Sequence, residues 1–308
     1  MGNVPAGKIN WTCKLLAPGL LQVRFPLWKG RPRFLMTADQ HFDSKLCDVS
    51  MLHRHYHQAR REGAGIIQVG DWFDAMQSAD DPRRTKMALK DEHTRTPYLN
   101  ELIQSTLKFC QPFKDNLLMW GYGNHETALC KKMDIDLIME TVERLREKGS
   151  PVERMGLRGF IIFRGEKKNG RLVKQWVMAF SHGAGGGGEV TKGTIRSARR
   201  AAYYPDADVV VAGHIHEAWT LEIPRVRVQT GGHHRHIYQD TQYHVQLPTY
   251  KQEYNPSGLG FHHDKERPPK PLGGYWIEFG LIDHSFKTSL EKGNEPTYEP
   301  FVKIERAV

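Results

Sequence analysis

Seven side chains in this 308-residue chain have the types and spacing to hold metal ions: Asp39, His41, Asp71, Asn124, His182, His214 and His216. They fall in five short motifs in chain order: Asp39-Gln-His41, Gly70-Asp71-Trp-Phe-Asp74, Gly123-Asn124-His125-Glu126, Ser181-His182-Gly183 and Gly213-His214-Ile-His216. Carboxylate, amide oxygen and imidazole without thiolate suit borderline divalent ions (Mn, Fe, Zn, Co or Ni) and argue against Ca or Mg alone. Seven donors exceed what one catalytic ion takes while keeping an open position. Two ions sharing a carboxylate fit better. In such sites the ions lie roughly 3.5–4 Å apart and clamp the attacking and leaving oxygens of an in-line displacement.

The elements that must position these groups are legible just before them. Each motif follows an apolar stretch that reads as a buried strand: Phe34–Met36, Ile66–Val69, Leu117–Trp120, Trp176–Phe180 and Val209–Ala212. A continuous apolar run that stops at glycine and polar residues is a strand delivering its C-terminal loop to a shared edge. Ligands of open α/β sheets collect there. Taken singly, an Asp-x-His or a Gly-Asp is a turn, since both residue types suit turn geometry. Five such motifs in one chain describe a site.

The motif set resembles the calcineurin-like metallophosphoesterase superfamily over residues 39–216. The resemblance implies an α/β fold, a four-layer α-β-β-α sandwich of two mixed sheets flanked by helices. It also implies that Asp39, His41 and His216 bind the first metal, that Asp71 bridges to the second, and that Asn124, His182 and His214 complete the second metal's ligands. His125 would face the phosphate as a catalytic residue, with Asp74 orienting its neighbours; alternatively Asp74 only caps the following helix. Glu126 stands where many relatives have Asp. The expected cofactors are two divalent metal ions, Mn foremost. The expected chemistry is direct hydrolysis of a phosphodiester by a hydroxide shared between the ions, with His125 assisting the leaving oxygen.

Around the motifs the chain reads as one domain spanning 1–308, with a helical insertion at about 75–116 and a C-terminal β and loop segment at about 217–308. A leading strand is expected over 19–25 and an amphipathic helix over 44–62, stopped by Gly63. Further helices are expected over 84–92, 97–110, 128–148 and 191–204. Strands are expected near 159–164 and 172–180, joined at Asn169-Gly170, and near 217–230 and 274–286. His53, His55 and His57 read as a solvated helix face. His233, His234, His236 and the pair His262-His263 read as loop residues. The four cysteines, Cys13, Cys47, Cys110 and Cys130, are far apart and read as reduced thiols of a cytoplasmic protein (host cytoplasm if phage-encoded). No apolar run approaches the length of a membrane span, and no signal peptide is recognisable at the start.

The balance of 44 basic against 35 acidic residues gives +9, which favours anionic partners. After His182 comes the run Gly183-Ala-Gly-Gly-Gly-Gly188, then a helix carrying Lys192, Arg196, Arg199 and Arg200 within an arc of about 100°. Such a pairing either approaches phosphate or is a flexible loop beside a solvated face. The segment 244–273 interleaves Tyr250-Lys251, Tyr254 and Phe261-His-His263 with prolines. That composition serves base stacking or an ordered surface loop. The tail is similar to that of metallophosphoesterases of tailed bacteriophages, which implies a nucleic-acid setting. Three functions follow: a nuclease acting on DNA or RNA, a phosphatase or cyclic-nucleotide phosphodiesterase for small molecules, and a non-catalytic scaffold on this fold.

Overall fold

The alternation of side chains along each strand decides how this chain layers. The computed structural model describes residues 6–75, 90, 97–230, 236–254, 266–283 and 298–308. In chain order the strands are β1 (Thr12–Ala17), β2 (Leu20–Pro26), β3 (Arg33–Thr37), β4 (Gly65–Gln68), β5 (Leu117–Trp120), β6 (Glu153–Arg154) and β7 (Arg158–Glu166). There follow β8 (Leu172–Ser181), β9 (Val209–Ala212), β10 (Trp219–Gln229), β11 (His236–Gln246), β12 (Gly274–Asp283) and β13 (Tyr298–Ala307). The α-helices are α1 (Val49–Glu62), α2 (Tyr98–Cys110), α3 (Asn124–Met133), α4 (Leu137–Glu147) and α5 (Ile195–Tyr203). Among the described residues no helix is long and apolar enough to cross a membrane.

Two mixed sheets form. The first runs β13-β12-β3-β4-β5-β6, and the second runs β1-β2-β7-β8-β9-β11-β10. In β3, Phe34 and Met36 point to the second sheet while Leu35 points to the helices, and in β4 Ile67 and Ile66 divide the same way. The space between the sheets is filled by Phe34, Phe163 and Phe279, with ring centroids 5.0 Å and 4.5 Å apart from Phe163. Each such fully buried side chain contributes about 1.5–3 kcal/mol. On the outer face of the first sheet, Leu52, Tyr56 and Ala59 of α1 join Leu102 and Leu107 of α2 and Ile138, Val142 and Leu145 of α4. On the outer face of the second sheet lies α5, beside the small cluster Ala179, Ala207 and Val210. Helices, sheet, sheet and helix make the four-layer α-β-β-α arrangement.

Several local expectations change. Helix α1 starts at Val49 rather than 44, because the Asp48 carboxylate caps it by accepting from Met51 N at 2.8 Å. The helix expected over 128–148 is two helices. Asp134 takes a left-handed φ of 56°, and the Asp136 side chain caps α4 by accepting from Met139 N at 2.8 Å. Of the two helices expected in the insertion, 97–110 is α2, and nearly all of 84–92 lies outside the described residues. The loop expected after β10 contains the full strand β11, which pairs with β10 along eleven residues and with β9 in parallel. Its residue His236 is in a strand, whereas His233, His234 and His262-His263 lie outside the described residues. The histidines of α1 are not a solvated face either. His55 is buried with Nδ1 2.8 Å from the Tyr250 hydroxyl, and His53 and His57 pack edge-on to Phe113.

Candidate metal centre

Parallel pairing of β3, β4 and β5 brings the loops after Thr37, Gln68 and Trp120 to one edge. Parallel pairing of β8 and β9 does the same for the loops after Ser181 and Ala212. The first sheet thus supplies Asp39, His41, Asp71, Asp74, Asn124 and His125, and the second supplies His182, His214 and His216.

The loops turn so sharply that the donor residues adopt unusual backbone. Asp39, His41, Asp71, His214 and His216 have φ of 54°, 46°, 54°, 76° and 52°. Side chains rarely occupy this left-handed region, at a cost of about 1–3 kcal/mol each, and it clusters at functional sites. Hydrogen bonds hold the turns. Asp39 N donates to Gly70 O at 3.0 Å, His41 N to Asp71 O at 3.1 Å, and His214 N to Asp39 Oδ2 at 2.8 Å. Two glycines are dictated by this crowding. A Cβ on Gly123 would lie 1.9 Å from Asp71 Oδ1, and one on Gly213 would lie 2.7 Å from Asp39 Oδ2.

All nine residues singled out in the sequence converge. Asp39, His41 and His216 form one group whose ligand atoms lie within 4.8 Å of one another, and Asp71, His182 and His214 form a second. Asn124 joins the second group, its Oδ1 3.1 Å from His182 Nε2. The groups touch through His182, whose Nε2 is 3.1 Å from Asp71 Oδ2 and 3.9 Å from Asp39 Oδ1. The carboxylates are fully buried, whereas His214 and His216 are half-buried. Asp39 Oδ1 is buried without a hydrogen-bond partner, and His41 Nε2 and His216 Nε2 face each other at 3.3 Å. Converging lone pairs and an orphaned carboxylate oxygen are what a divalent cation satisfies, so this donor set fits metal.

Charge within the pocket separates the imidazoles. Burial depresses His41 and His214, assisted by the cations of Lys251 and His182 respectively, so both favour the neutral form that ligates. Burial also opposes charge on His125, but Asp71 and Asp74 overcome it and raise its pKa. His182 is raised to about 10 in the same way by Asp71 and Asp39. Burial works to raise the carboxyls of Asp39 and Asp71. His182, with His216 and His125, overcomes it and holds both below the usual range. His125 Nδ1 donates to the Asp74 backbone carbonyl at 2.6 Å, leaving Nε2 turned to the pocket, 3.8 Å from Asp71 Oδ2.

Three supports were not legible as such in the sequence. Asp43 accepts from the backbone N–H of Asp74 and Ala75 at 2.6 and 3.0 Å and from the Tyr98 hydroxyl at 2.9 Å. Its position two residues after the first motif was the available signal. Glu126 accepts from Asp71 N, Phe73 N and Gly123 N at 3.2, 2.9 and 2.8 Å, tying the second motif to the third. Burial and the nearby Asp71 push its carboxyl up to about 7. Lys251, buried beside Asp74, had no signal at all. With Tyr250 it is packed inside, so neither is available for stacking bases.

No family model matches the chain, and no curated protein matches it. Solved structures do match. One is wild-type Vps29 from Entamoeba histolytica complexed with Zn2+, which is 10% identical, with 90% of this chain and 99% of that chain covered and a TM-score of 0.36.

The glycine-rich loop and α5 follow His182. Arg196 donates to the carbonyls of Ala184 and Gly186, so one cation of the basic stripe holds the loop. Arg200 is half-buried, whereas Lys192 and Arg199 are exposed. Ile195 on this helix is 66% exposed, and only Ser197 of α5 is buried.

Proposed function

We propose that this chain is a metal-dependent phosphodiester hydrolase with two divalent ions, Mn foremost, acting on nucleic-acid or nucleotide diesters. The observation that carries the reading is the meeting of two donor groups at His182 and Asp71, with His125 beside them, outside both groups and near His41 and Asp74. Asp39, His41 and His216 would hold one ion. Asn124, His182 and His214 would hold the other, with Asp71 shared. Ions bound there supply charge neutralisation for the phosphoryl oxygens and the acidity that makes water a nucleophile at neutral pH.

The chain's own groups do the rest. Asp74 O accepts from His125 Nδ1 and so keeps that nitrogen protonated, which leaves Nε2 as the ring nitrogen that gains or gives up a proton toward the pocket. Burial opposes charge on that imidazole, but Asp71 and Asp74 overcome it and favour the protonated form, which suits it to protonate the departing oxygen. The α3 N-terminus points at Asp71, with His125 N donating to Oδ1 at 3.0 Å, and this keeps the shared carboxylate anionic and fixed. The +9 charge supports an anionic polymer as substrate.

The test is hydrolysis by Mn-loaded protein of bis-p-nitrophenyl phosphate against p-nitrophenyl phosphate, with single-stranded and duplex DNA at low and moderate salt. Diester turnover with salt-sensitive DNA cleavage is the expected result. Diester turnover without DNA cleavage would direct the reading to small or cyclic nucleotides, and monoester preference would make it a phosphatase. No turnover with any of the candidate metals would overturn catalysis in favour of a scaffold.

A further inference from the structure

Asp74 sits where three cationic or potentially cationic groups meet. Its Oδ1 is 2.8 Å from His41 Nδ1, 3.0 Å from Lys251 Nζ and 3.8 Å from His125 Nδ1. The contact with His41 is close but not an aligned hydrogen bond. Lys251 comes from far along the chain, 177 residues away, and its side chain is only 8% exposed. Nζ also lies 3.4 Å from Glu253 Oε1. A lysine is rarely buried unless it is paired, because its ammonium loses hydration.

A short strap delivers this ammonium. Thr249 Oγ1 and Tyr250 N donate to Asp39 O at 2.7 and 3.1 Å, Asp48 N donates to Tyr250 O at 2.8 Å, and Gln252 N donates to Leu46 O at 2.8 Å. The strap therefore grips the first motif loop on both sides of Lys251. Tyr250 anchors it from below through His55. Residues 249–252 are thus built into the catalytic edge from outside the five motifs.

The geometry has a consequence for ion binding. His41, Asp74 and His125 form a third group close enough to hold a cation. Lys251 Nζ already takes the Asp74 oxygen which that ion would need. We propose that Lys251 is a positioning residue: the chain's own cation, which fills this third group and clamps Asp74 so that His41 presents Nε2 toward Asp39 and His216. It acts through Asp74 and reaches no substrate. Partners that orient a metal-binding imidazole affect affinity by about 10–100-fold.

The inference rests on the metal-site reading above, and ion binding tests both separably. Metal-free protein is titrated with Co2+, following ion count and affinity by calorimetry and ligand geometry by visible absorption. Thermal unfolding of the metal-free forms checks that each variant is folded. Wild type is expected to bind two ions. Lys251→Met is expected to weaken one of them about 10–100-fold with a changed spectrum and to leave the other unaltered, while Lys251→Arg restores much of the loss. Asp74→Asn should weaken the same ion, and Asp74→Asn/Lys251→Met should be no weaker than Asp74→Asn alone. That double variant removes both charges together, so it decides the matter even where Lys251→Met alone fails to fold. Unchanged binding in Lys251→Met, or an equal loss with and without Asp74, would overturn the inference and leave the metal site standing. Failure of wild type to bind divalent ions would overturn the metal site itself.

Discussion

The two sheets meet at the candidate centre with different chemistry. The loops of the first sheet supply all the carboxylate donors of the centre, each buried, together with half-buried Asn124 and His125, and are braced from behind by Asp43, Glu126 and Lys251. The donors that the second sheet supplies are all imidazoles, two of them half-buried, and the loop after His182 runs into glycines. Their bracing comes from across the gap. Asp39 accepts from His214 N, Asp71 contacts His182, and Val69 O lies 2.9 Å from His182 Nδ1. One side is a fixed anionic wall and the other is a set of imidazoles held against it.

This comparison can be broken from the anionic side first. Asp71→Asn is expected to lose ions and reduce diester turnover to background, read by metal analysis alongside the rate; retained ions and rate would mean that the wall is not shared. Next in size, His125→Ala should lower turnover about 10²–10⁴-fold with ion content intact, as for loss of a general acid. Loss of both ions in that variant would make His125 a ligand. Glu126→Ala strips an acceptor from three buried backbone N–H groups and should cost about 3 kcal/mol in urea unfolding of the metal-free protein.

The imidazole side is sharpened by pH. His182 retains its proton up to about 10 because Asp71 and Asp39 outweigh burial, and an imidazolium cannot ligate. The proton must leave for an ion to bind, so affinity should rise as pH rises toward 10, about tenfold per unit for one proton. Calorimetry in buffers of differing ionisation enthalpy should detect the released proton; heats independent of buffer would contradict it. The smallest effect expected is for Arg199→Ala on exposed α5, which should lessen the salt dependence of DNA binding by about one unit of slope. An unchanged slope would remove α5 from the polyanion path.

The strands and the donors were legible because each announces itself locally. A run such as Val209–Ala212 is apolar throughout because it is buried on both faces, and the Gly-His after it breaks the pattern. Strand β11 was missed because its start is polar and exposed, and only its last residues enter the core beside β9. The break between α3 and α4 was overlooked because the apolar periodicity continues across it, while the Asp136 cap is a local competitor for the backbone.

By itself, the sequence determined the buried strands and the nine groups on the loops that follow them, since strand period, turn residues and donor type are properties of short segments. Tertiary structure alone decided which groups share a neighbourhood: that His182 joins both donor sets, that Asp43 and Glu126 hold the motif loops, and that Lys251 reaches Asp74 across 177 residues. The physical reason is that burial and ion pairing depend on what the fold brings within a few ångströms. A lysine in a polar stretch looks the same in sequence whether it faces water or a buried carboxylate.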